Sequence, residues 1–385
     1  MMRLFSKRER DYIENLPKNA KQRIRRALEA SQDIDEPLRV SVLRTTLPRA
    51  YKMNLFKILT CEPSDKNEAL VRSAMRIPYG SYSKPPTMEA AEFLKNAEKE
   101  MNAHITGHDL AKREVLSMLA QWHGGGHNPF AIALEGPPGI GKSTFVKHAL
   151  ASVIGRPLAT IALGGASDAS HLIGHGFTYE GARPGRLVEG LMETKRMDPV
   201  IYFDELDKVS DTARGDELMN TLIHLTDPVM NSSIRDRYFQ GLDLDFSRAI
   251  LVFSFNDGRK INPILLDRIR RIRLDSPTTS TKMTIAKKHV LPRLREVTCC
   301  SLEMTDGAME AILDAHKDCT GMRSIERSVQ EVLALAHLCQ QYGSGEIIGF
   351  EGAFGREICA KFARFVLANK TDSGMASGPP PHMYN

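Results

Sequence analysis

Long apolar runs are what this sequence most plainly lacks. No stretch of its 385 residues approaches the roughly 18 apolar positions that a membrane-spanning helix needs, so a helical span is excluded. The basic start, MMRLFSKRERDY, has no apolar segment behind it, and a secretory leader is not expected. Cysteine is sparse: six residues, at 61, 299, 300, 319, 339 and 359, with no CxxC pair among them. That spacing suggests no disulfide framework, and adjacent Cys299 and Cys300 are poorly placed to pair with each other. The chain therefore reads as intracellular, reduced and cytoplasmic. No internal repeat is present either.

What charge there is lies unevenly. The net charge is +5, yet residues 1–60 hold 14 Lys or Arg against 7 Asp or Glu, and the remainder holds 38 against 40. The basic excess thus belongs to the N-terminal segment. Such an arm can bind nucleic acid or an acidic membrane, and it can equally be a solvated helix face.

The pattern along the chain divides it into four parts. Residues 7–30 predict a helix rich in Arg, Lys, Glu and Ala, and 38–50, 51–60 and 67–76 predict shorter ones. The stretch IPYGSYSKPP at 77–86 cannot continue a helix and marks a linker. Helical periodicity returns over 88–101. From about 105 the texture changes: apolar runs at 131–134, 158–163, 200–203 and 249–255, with a weaker fifth strand pattern at 269–274, alternate with helical stretches at 142–154, 184–195, 215–227 and 263–268. This alternation predicts an α/β unit, a parallel sheet covered by helices in three layers. After Pro277 helices alone are expected, near 280–295, 305–317 and 322–341. The organisation is then an N-terminal helical extension and linker (1–100), an α/β domain (101–276), an all-helical unit (277–345), and a C-terminal helix with a tail too poor in apolar residues to fold (346–385).

Two motifs carry chemistry. The strand at 131–134 runs into EGPPGIGKST, so Gly136, Gly141, Lys142 and Ser143 fit GxxxxGK[ST], within the segment Gly136, Pro137, Pro138, Gly139, Ile140, Gly141, Lys142, Ser143, Thr144. Glycines let the backbone curl so that amides point at phosphate oxygens; Lys142 reaches the terminal phosphates and Ser143 ligates Mg²⁺. The helix that starts there turns its dipole on the same anion. Further on, VIYFDE ends a buried strand in Asp204 and Glu205. Two carboxylates at a strand end are costly without a cation. Mg²⁺ with ATP supplies one: Asp204 holds the metal, and Glu205 orients and deprotonates the attacking water. A pair of this kind can also simply cap a helix.

With these motifs in place, the sequence resembles the Lon branch of the AAA+ ATPases. The segments ITGHDLAKREVLSML (105–119), GGASDASHLIGHGFTYEGARPGRLVEGL (164–191), FDELDKV (203–209), DPVMNSSIRDRYF (227–239), NPILLDRIRRIRL (262–274), KKHVLPRL (287–294) and GMRSIERSVQEV (321–332) are similar to Lon segments in the same order, and MRIPYGSYS (75–83) is similar to the stretch just before the Lon ATPase core. The resemblance covers about residues 70–340 and implies a P-loop AAA+ fold with a five-stranded parallel sheet and a helical lid. It also implies roles. Asn256 looks like the sensor of the attacking water, although a polar residue ending a strand is equally a turn residue. Arg268 looks like the arginine finger that reaches a neighbouring subunit, with Arg270 and Arg271 as nearby rivals. Arg323 looks like the second sensor, on the lid; a cation in the first turn of a helix opposes the dipole, which makes sense beside a phosphate. Tyr179, with Phe177 close by, looks like the aromatic of the first pore loop, and Glu180 stands where Lon-like loops carry an apolar residue. No aromatic occurs in SDTARGD (210–216), where the second pore loop has one. ATP and Mg²⁺ are the implied cofactors, and the implied assembly is a homo-oligomeric ring, by the family's habit a hexamer, acting on polypeptide substrates.

The Ser-Lys peptidase domain of Lon is not expected here: about 45 residues follow Gln341, too few for it. Lys370, Ser373 and Ser377 lie in a tail that cannot hold a dyad. The reading is an ATP-driven motor without its own peptidase activity. A separate peptidase as partner, or a nucleic-acid-stimulated ATPase served by the basic segment, are the alternatives. His171 and His175, four apart, lack a third ligand at metal-binding spacing.

Overall fold

A computed structural model describes residues 17, 21, 37–61, 64–84, 87–123, 131–166, 168–179, 181–209, 212–350 and 357–374, with side chains described to 369. Apart from residues 17 and 21, the basic helix expected over 7–30 lies outside these residues, as do Glu180 and the tail beyond 374. The chain divides into two compact units, Met1–Gly80 and Ser81–Asn385.

In the first unit, helices Leu38–Arg44, Arg49–Cys61 and Asp65–Met75 pack on Val42, Tyr51, Leu55, Leu59, Leu70 and Val71. Pro37 precedes the first helix, and the Ser64 hydroxyl accepts from the Asn67 amide at 3.2 Å to cap the third. Asp65 and Glu68 in that first turn favour its positive end.

The second unit is built on a five-stranded parallel sheet. Its strands are β1 (Ala131–Glu135), β2 (Leu158–Ala162), β3 (Val200–Asp204), β4 (Ile250–Phe255) and β5 (Arg270–Arg273), in the order β2-β3-β4-β1-β5. Every predicted strand is present within a residue or so of its expected bounds. Side chains alternate with a period of two. Ile132, Leu134, Val200, Tyr202, Ile250, Val252 and Ile272 point into one core with Phe93, Met101, Val115, Leu119, Phe145 and Val146 from helices Ala90–His104, Asp109–His123 and 142–154. The intervening Phe203 and Phe253 stack at 4.8 Å on the opposite face. The central strands β1, β3 and β4 are buried on both faces and read as unbroken apolar runs, whereas the edge strands β2 and β5 are exposed on one face. The helix Ala90–His104, in the segment grouped with the N-terminal extension on sequence, supplies Phe93, Ala97 and Met101 to this sheet core.

The helical lid follows. Its helices 279–298, Asp306–Ala315, Arg323–Tyr342 and Ala360–Gly374 share a separate core around Ile312, Ile325, Val329, Val332, Leu333 and Phe362. The sequence led to an expectation of helices alone here, and the structure corrects it: Glu303–Met304 pairs in parallel with Glu357–Ile358, and Thr305 donates its hydroxyl to the Ile358 carbonyl at 3.0 Å. Two residues are too short to show a strand period, and their partner lies some fifty positions on, so nothing local announces the pairing. The same holds for the antiparallel pair Ile234–Arg235 and Asp243–Leu244.

Candidate functional site

β1 ends at Glu135 and the chain turns through 136–141 into helix 142–154. Gly139 and Gly141 have φ of 77° and 97°, left-handed values that disfavour a side chain. Gly136 has no room for one, since a Cβ there would lie 2.4 Å from the Leu274 carbonyl oxygen. The Lys142 ammonium donates to Gly136 O at 2.6 Å, Pro137 O at 3.2 Å and Asn256 Oδ1 at 2.6 Å. Burial lowers its pKa, while Asp204 and Asp207 pull the other way and Arg323 adds to the lowering. A lysine desolvated among carboxylates and backbone carbonyls is positioned to meet an anion.

Asp204 and Glu205 close β3 beside this lysine. Asp204 Oδ1 accepts from Tyr202 OH at 3.0 Å, Ser254 Oγ at 2.5 Å and the Glu205 amide at 3.0 Å. Tyr202 in turn lies 3.3 Å from the Ser143 hydroxyl, and burial pushes its pKa up to about 12, so it remains a donor. Glu205 sits in the left-handed region at φ 60°, an uncommon place for a non-glycine residue. That turn throws its side chain over Gly164, where a Cβ would lie 2.1 Å from Glu205 Oε2. Asn256, one residue past β4, links both sides: its Oδ1 accepts from Lys142 and its Nδ2 donates to Asp207 Oδ2 at 3.3 Å. Asp207 Oδ1 is buried without a hydrogen-bond partner, which leaves unspent acceptor capacity against the cluster. A carboxylate pair, a hydroxyl and a desolvated ammonium form a donor set suited to Mg²⁺ with a polyphosphate.

The lid reaches the phosphate loop through backbone. The Met322 amide donates to Gly139 O at 2.8 Å, and Gly321 fits so closely that a Cβ would lie 2.4 Å from Pro138 O. Arg323 follows at once and opens helix Arg323–Tyr342, its Cβ 3.1 Å from where a Gly139 Cβ would be. From the other side His108, itself at φ 57°, donates from Nε2 to Ile140 O at 3.2 Å; burial lowers its pKa and keeps it neutral.

Arg268 goes elsewhere. It ends helix Pro263–Arg268 and pairs with Asp227 at 2.7 Å, so its partner is not a group of the phosphate loop. Asp227 caps the C-terminus of helix Ala213–Thr226, and the Arg268 hydrogen bond holds its carboxyl below the usual range. Phe177 and Tyr179 also separate. Phe177 is half-buried, edge-on to Tyr238 at 5.5 Å, whereas Tyr179 is 70% exposed. The base of their loop is held by Asp236, which is buried and accepts from the amides of Gly185 and Tyr238 at 2.8 Å each and of Phe239 at 3.4 Å. His171 and His175 take separate partners, the Ala162 carbonyl and the Ser170 hydroxyl, both at 3.1 Å. Cys299 and Cys300 are free thiols, and no described helix is long and apolar enough to cross a membrane.

Comparison with known proteins agrees with this geometry. Residues 132–276 match the ATPase family associated with various cellular activities (AAA). A Lon protease homolog of Acanthamoeba polyphaga mimivirus is 34% identical over 270 residues, covering 67% of this chain and 26% of that protein. The Lon protease of Finegoldia magna is 31% identical over 289 residues, 73% of this chain and 36% of the relative. That of Rhizobium meliloti is 30% identical over 342 residues, 86% and 41%. The chain carries an AAA+ ATPase domain of the Lon type. It spans between about a quarter and two-fifths of the length of these relatives, 26% to 41%.

In this Lon-type domain the cleft brings together Lys142, Ser143, Asp204, Glu205, Asn256 and Arg323, and leaves Arg268 and Tyr179 at other edges. Sequence reasoning missed Tyr202, Ser254, Asp207, Gly164 and Asp236. The first three had a weak signal, since each stands on or just past a strand already read as part of the site. Gly164 and Asp236 had none of that kind: one is defined by a distant side chain, and the other by the amide of Gly185, fifty-one positions back, joined to the local amides of Tyr238 and Phe239.

Proposed function

We propose that this Lon-type domain hydrolyses ATP and uses the energy to thread or remodel polypeptides as a ring of identical subunits. The phosphate loop amides and Lys142 bind the triphosphate, and Ser143 with Asp204 would hold Mg²⁺, which supplies charge neutralisation for the departing phosphate. Glu205 takes a proton from the attacking water, and Asn256 keeps that water in line. Lys142 then exchanges its contacts with Gly136, Pro137 and Asn256 for phosphate oxygens. Arg323 senses the nucleotide from the lid, and Arg268 serves the neighbouring subunit. That Arg268 pairs with Asp227 rather than with a group of its own phosphate loop supports the assignment across an interface. Tyr179 presents an exposed ring, from a loop anchored by Asp236, to a substrate chain.

The observation that carries this reading is the convergence on one cleft of Lys142, Asn256 and the Asp204–Glu205 pair. Its test is Glu205→Gln. The variant is expected to bind ATP as the parent does and to lose turnover by about 10²–10⁴-fold, the ordinary worth of a general base. Parent-level turnover would remove the assigned base. A separate peptidase partner fits the same motor, and co-purification would show it. A nucleic-acid-stimulated ATPase is the second reading, favoured by the basic residues 1–60. Stimulation by DNA or RNA that falls steeply with salt would select it.

A further inference from the structure

Behind the nucleotide cleft, on the far part of the helix that begins at the phosphate loop, lies a second group of chemistry-bearing side chains. Glu100 and His104 are four residues apart on helix Ala90–His104, on one face of it, with His104 Nε2 3.5 Å from Glu100 Oε1. His148 comes to meet them from helix 142–154, its ring stacked on that of His104 at 4.2 Å. Ligand atoms of all three lie within 4.8 Å of one another. None of these residues touches the phosphate loop or takes part in the chemistry above.

Two further observations single out this cluster. His148 Nδ1 is buried with no hydrogen-bond partner, an orphaned ring nitrogen beside a carboxylate. His148 also sits in a π-helical turn, Val146–Ala151, where the Ser152 amide reaches back five residues to Lys147 O. Such turns cost regular hydrogen bonding and recur at functional sites.

We propose that Glu100, His104 and His148 form a zinc-class divalent metal site that clamps helix Ala90–His104 to the helix bearing the phosphate loop. Two imidazoles and a carboxylate are a known zinc donor set, with water completing four-coordination. Bonds of about 2.0–2.2 Å place tetrahedral donors about 3.3 Å apart. The donors must therefore close by no more than about 1.5 Å. His104 can make that move, because its side chain is 46% exposed and Glu100 is 40% exposed. The rings must leave their stack to point nitrogens at one ion, and the exposed ring is the one that swings. The lid approaches the same helix from its own side: His289, also in a π-helical turn, hydrogen-bonds Thr106 Oγ1 at 2.9 Å. An ion here would stiffen the base of the phosphate-loop helix without contacting nucleotide.

The test uses the full chain without a polyhistidine tag, titrated with Zn²⁺ against a chromophoric chelator and with Co²⁺ followed by its visible spectrum. One equivalent per chain is expected, with a tetrahedral Co²⁺ band and a thermal midpoint raised by about 5 °C in excess Zn²⁺. His104→Gln and His148→Gln should each weaken binding at least tenfold, and Cys299→Ser with Cys300→Ser should leave it unchanged. His104 is exposed, so its variant remains informative if His148→Gln fails to fold. No binding at 100-fold excess of metal over protein, or full binding by His104→Gln, would overturn the proposal. Metal binding is read without nucleotide, so this outcome is independent of whether the domain hydrolyses ATP.

Discussion

A single methyl group at Gly164 should disable hydrolysis while leaving the fold and nucleotide affinity nearly intact. An ideal Cβ at this position lies 2.1 Å from Glu205 Oε2 and 3.2 Å from its Cδ. An ordinary carbon–oxygen contact needs about 3.3 Å, so the carboxylate must retreat by about 1 Å. The clash is with the end of a flexible side chain, so stability changes little. Catalysis is less tolerant: a general base displaced by about 1 Å costs about 100-fold, or about 2.7 kcal/mol of barrier. Gly164→Ala should therefore show kcat down about 100-fold, an ATP Kd within about twofold of the parent, and an unchanged thermal midpoint. Steady-state phosphate release and nucleotide titration measure the two constants. In a Glu205→Gln background the same methyl should have almost no further effect, because there is no base left to displace. Parent-like kcat in Gly164→Ala, or a full additive loss in the double variant, would show that the Glu205 side chain is not the base held at this spot.

Other outcomes follow from the same geometry. Lys142→Ala should abolish ATP binding, read by nucleotide titration, since three acceptors now hold a single ammonium at the loop. Arg268→Ala should keep ATP binding and lose about 10³-fold or more in turnover, with part of it regained in rings mixed with Glu205→Gln chains; unchanged turnover would exclude the finger role. Asp236 carries the pH signature. Burial, opposed by its three amide partners, raises its pKa from 3.8 to about 6. The folded state therefore holds the proton more tightly than the unfolded chain, and the stability owed to this group is complete below 3.8 and lost as pH rises through about 6. The stability difference between parent and Asp236→Asn, from denaturant titration, should shift by at most about 3 kcal/mol between pH 4 and 7, and a flat difference would contradict it. Casein incubated with these 385 residues and ATP should stay intact; degradation abolished by Ser373→Ala would refute that.

The centre of the sheet was legible because burial on both faces of β1, β3 and β4 leaves a plain trace, an apolar run between helical periods, while the edge strand Arg270–Arg273, with only Ile272 buried, left a weaker one. The phosphate loop was legible for a different reason. Its chemistry is local: Gly136, Gly141, Lys142 and Ser143 act within eight consecutive positions, so spacing alone encodes the geometry. Asp204 and Glu205 shared that advantage, since the strand end that exposes them is itself a sequence feature. Arg323 drew notice partly through an electrostatic incongruity, a cation in the first turn of a helix, and the structure shows what lies beside it, the loop at Gly139.

What stayed hidden was everything defined by two distant pieces of chain meeting. Gly164 looks like any loop glycine until Glu205, forty-one positions on, adopts φ 60° and lays its carboxylate where a Cβ would go. Asp236 looks like one more charge in a polar loop until the amides of Gly185, Tyr238 and Phe239 converge on it. Asp227 looks like a helix end until Arg268 closes on it. These three share a property: each contacts or anchors a residue, or its loop, to which we assign a role, the proposed base, the proposed pore-loop aromatic and the proposed finger. Motif residues declare which reaction is available, while their restraints decide whether the reacting groups are held closely enough to perform it. Substitution of Gly164, Asp236 or Asp227 therefore tests the positioning of the site, and substitution of Glu205, Tyr179 or Arg268 tests its composition.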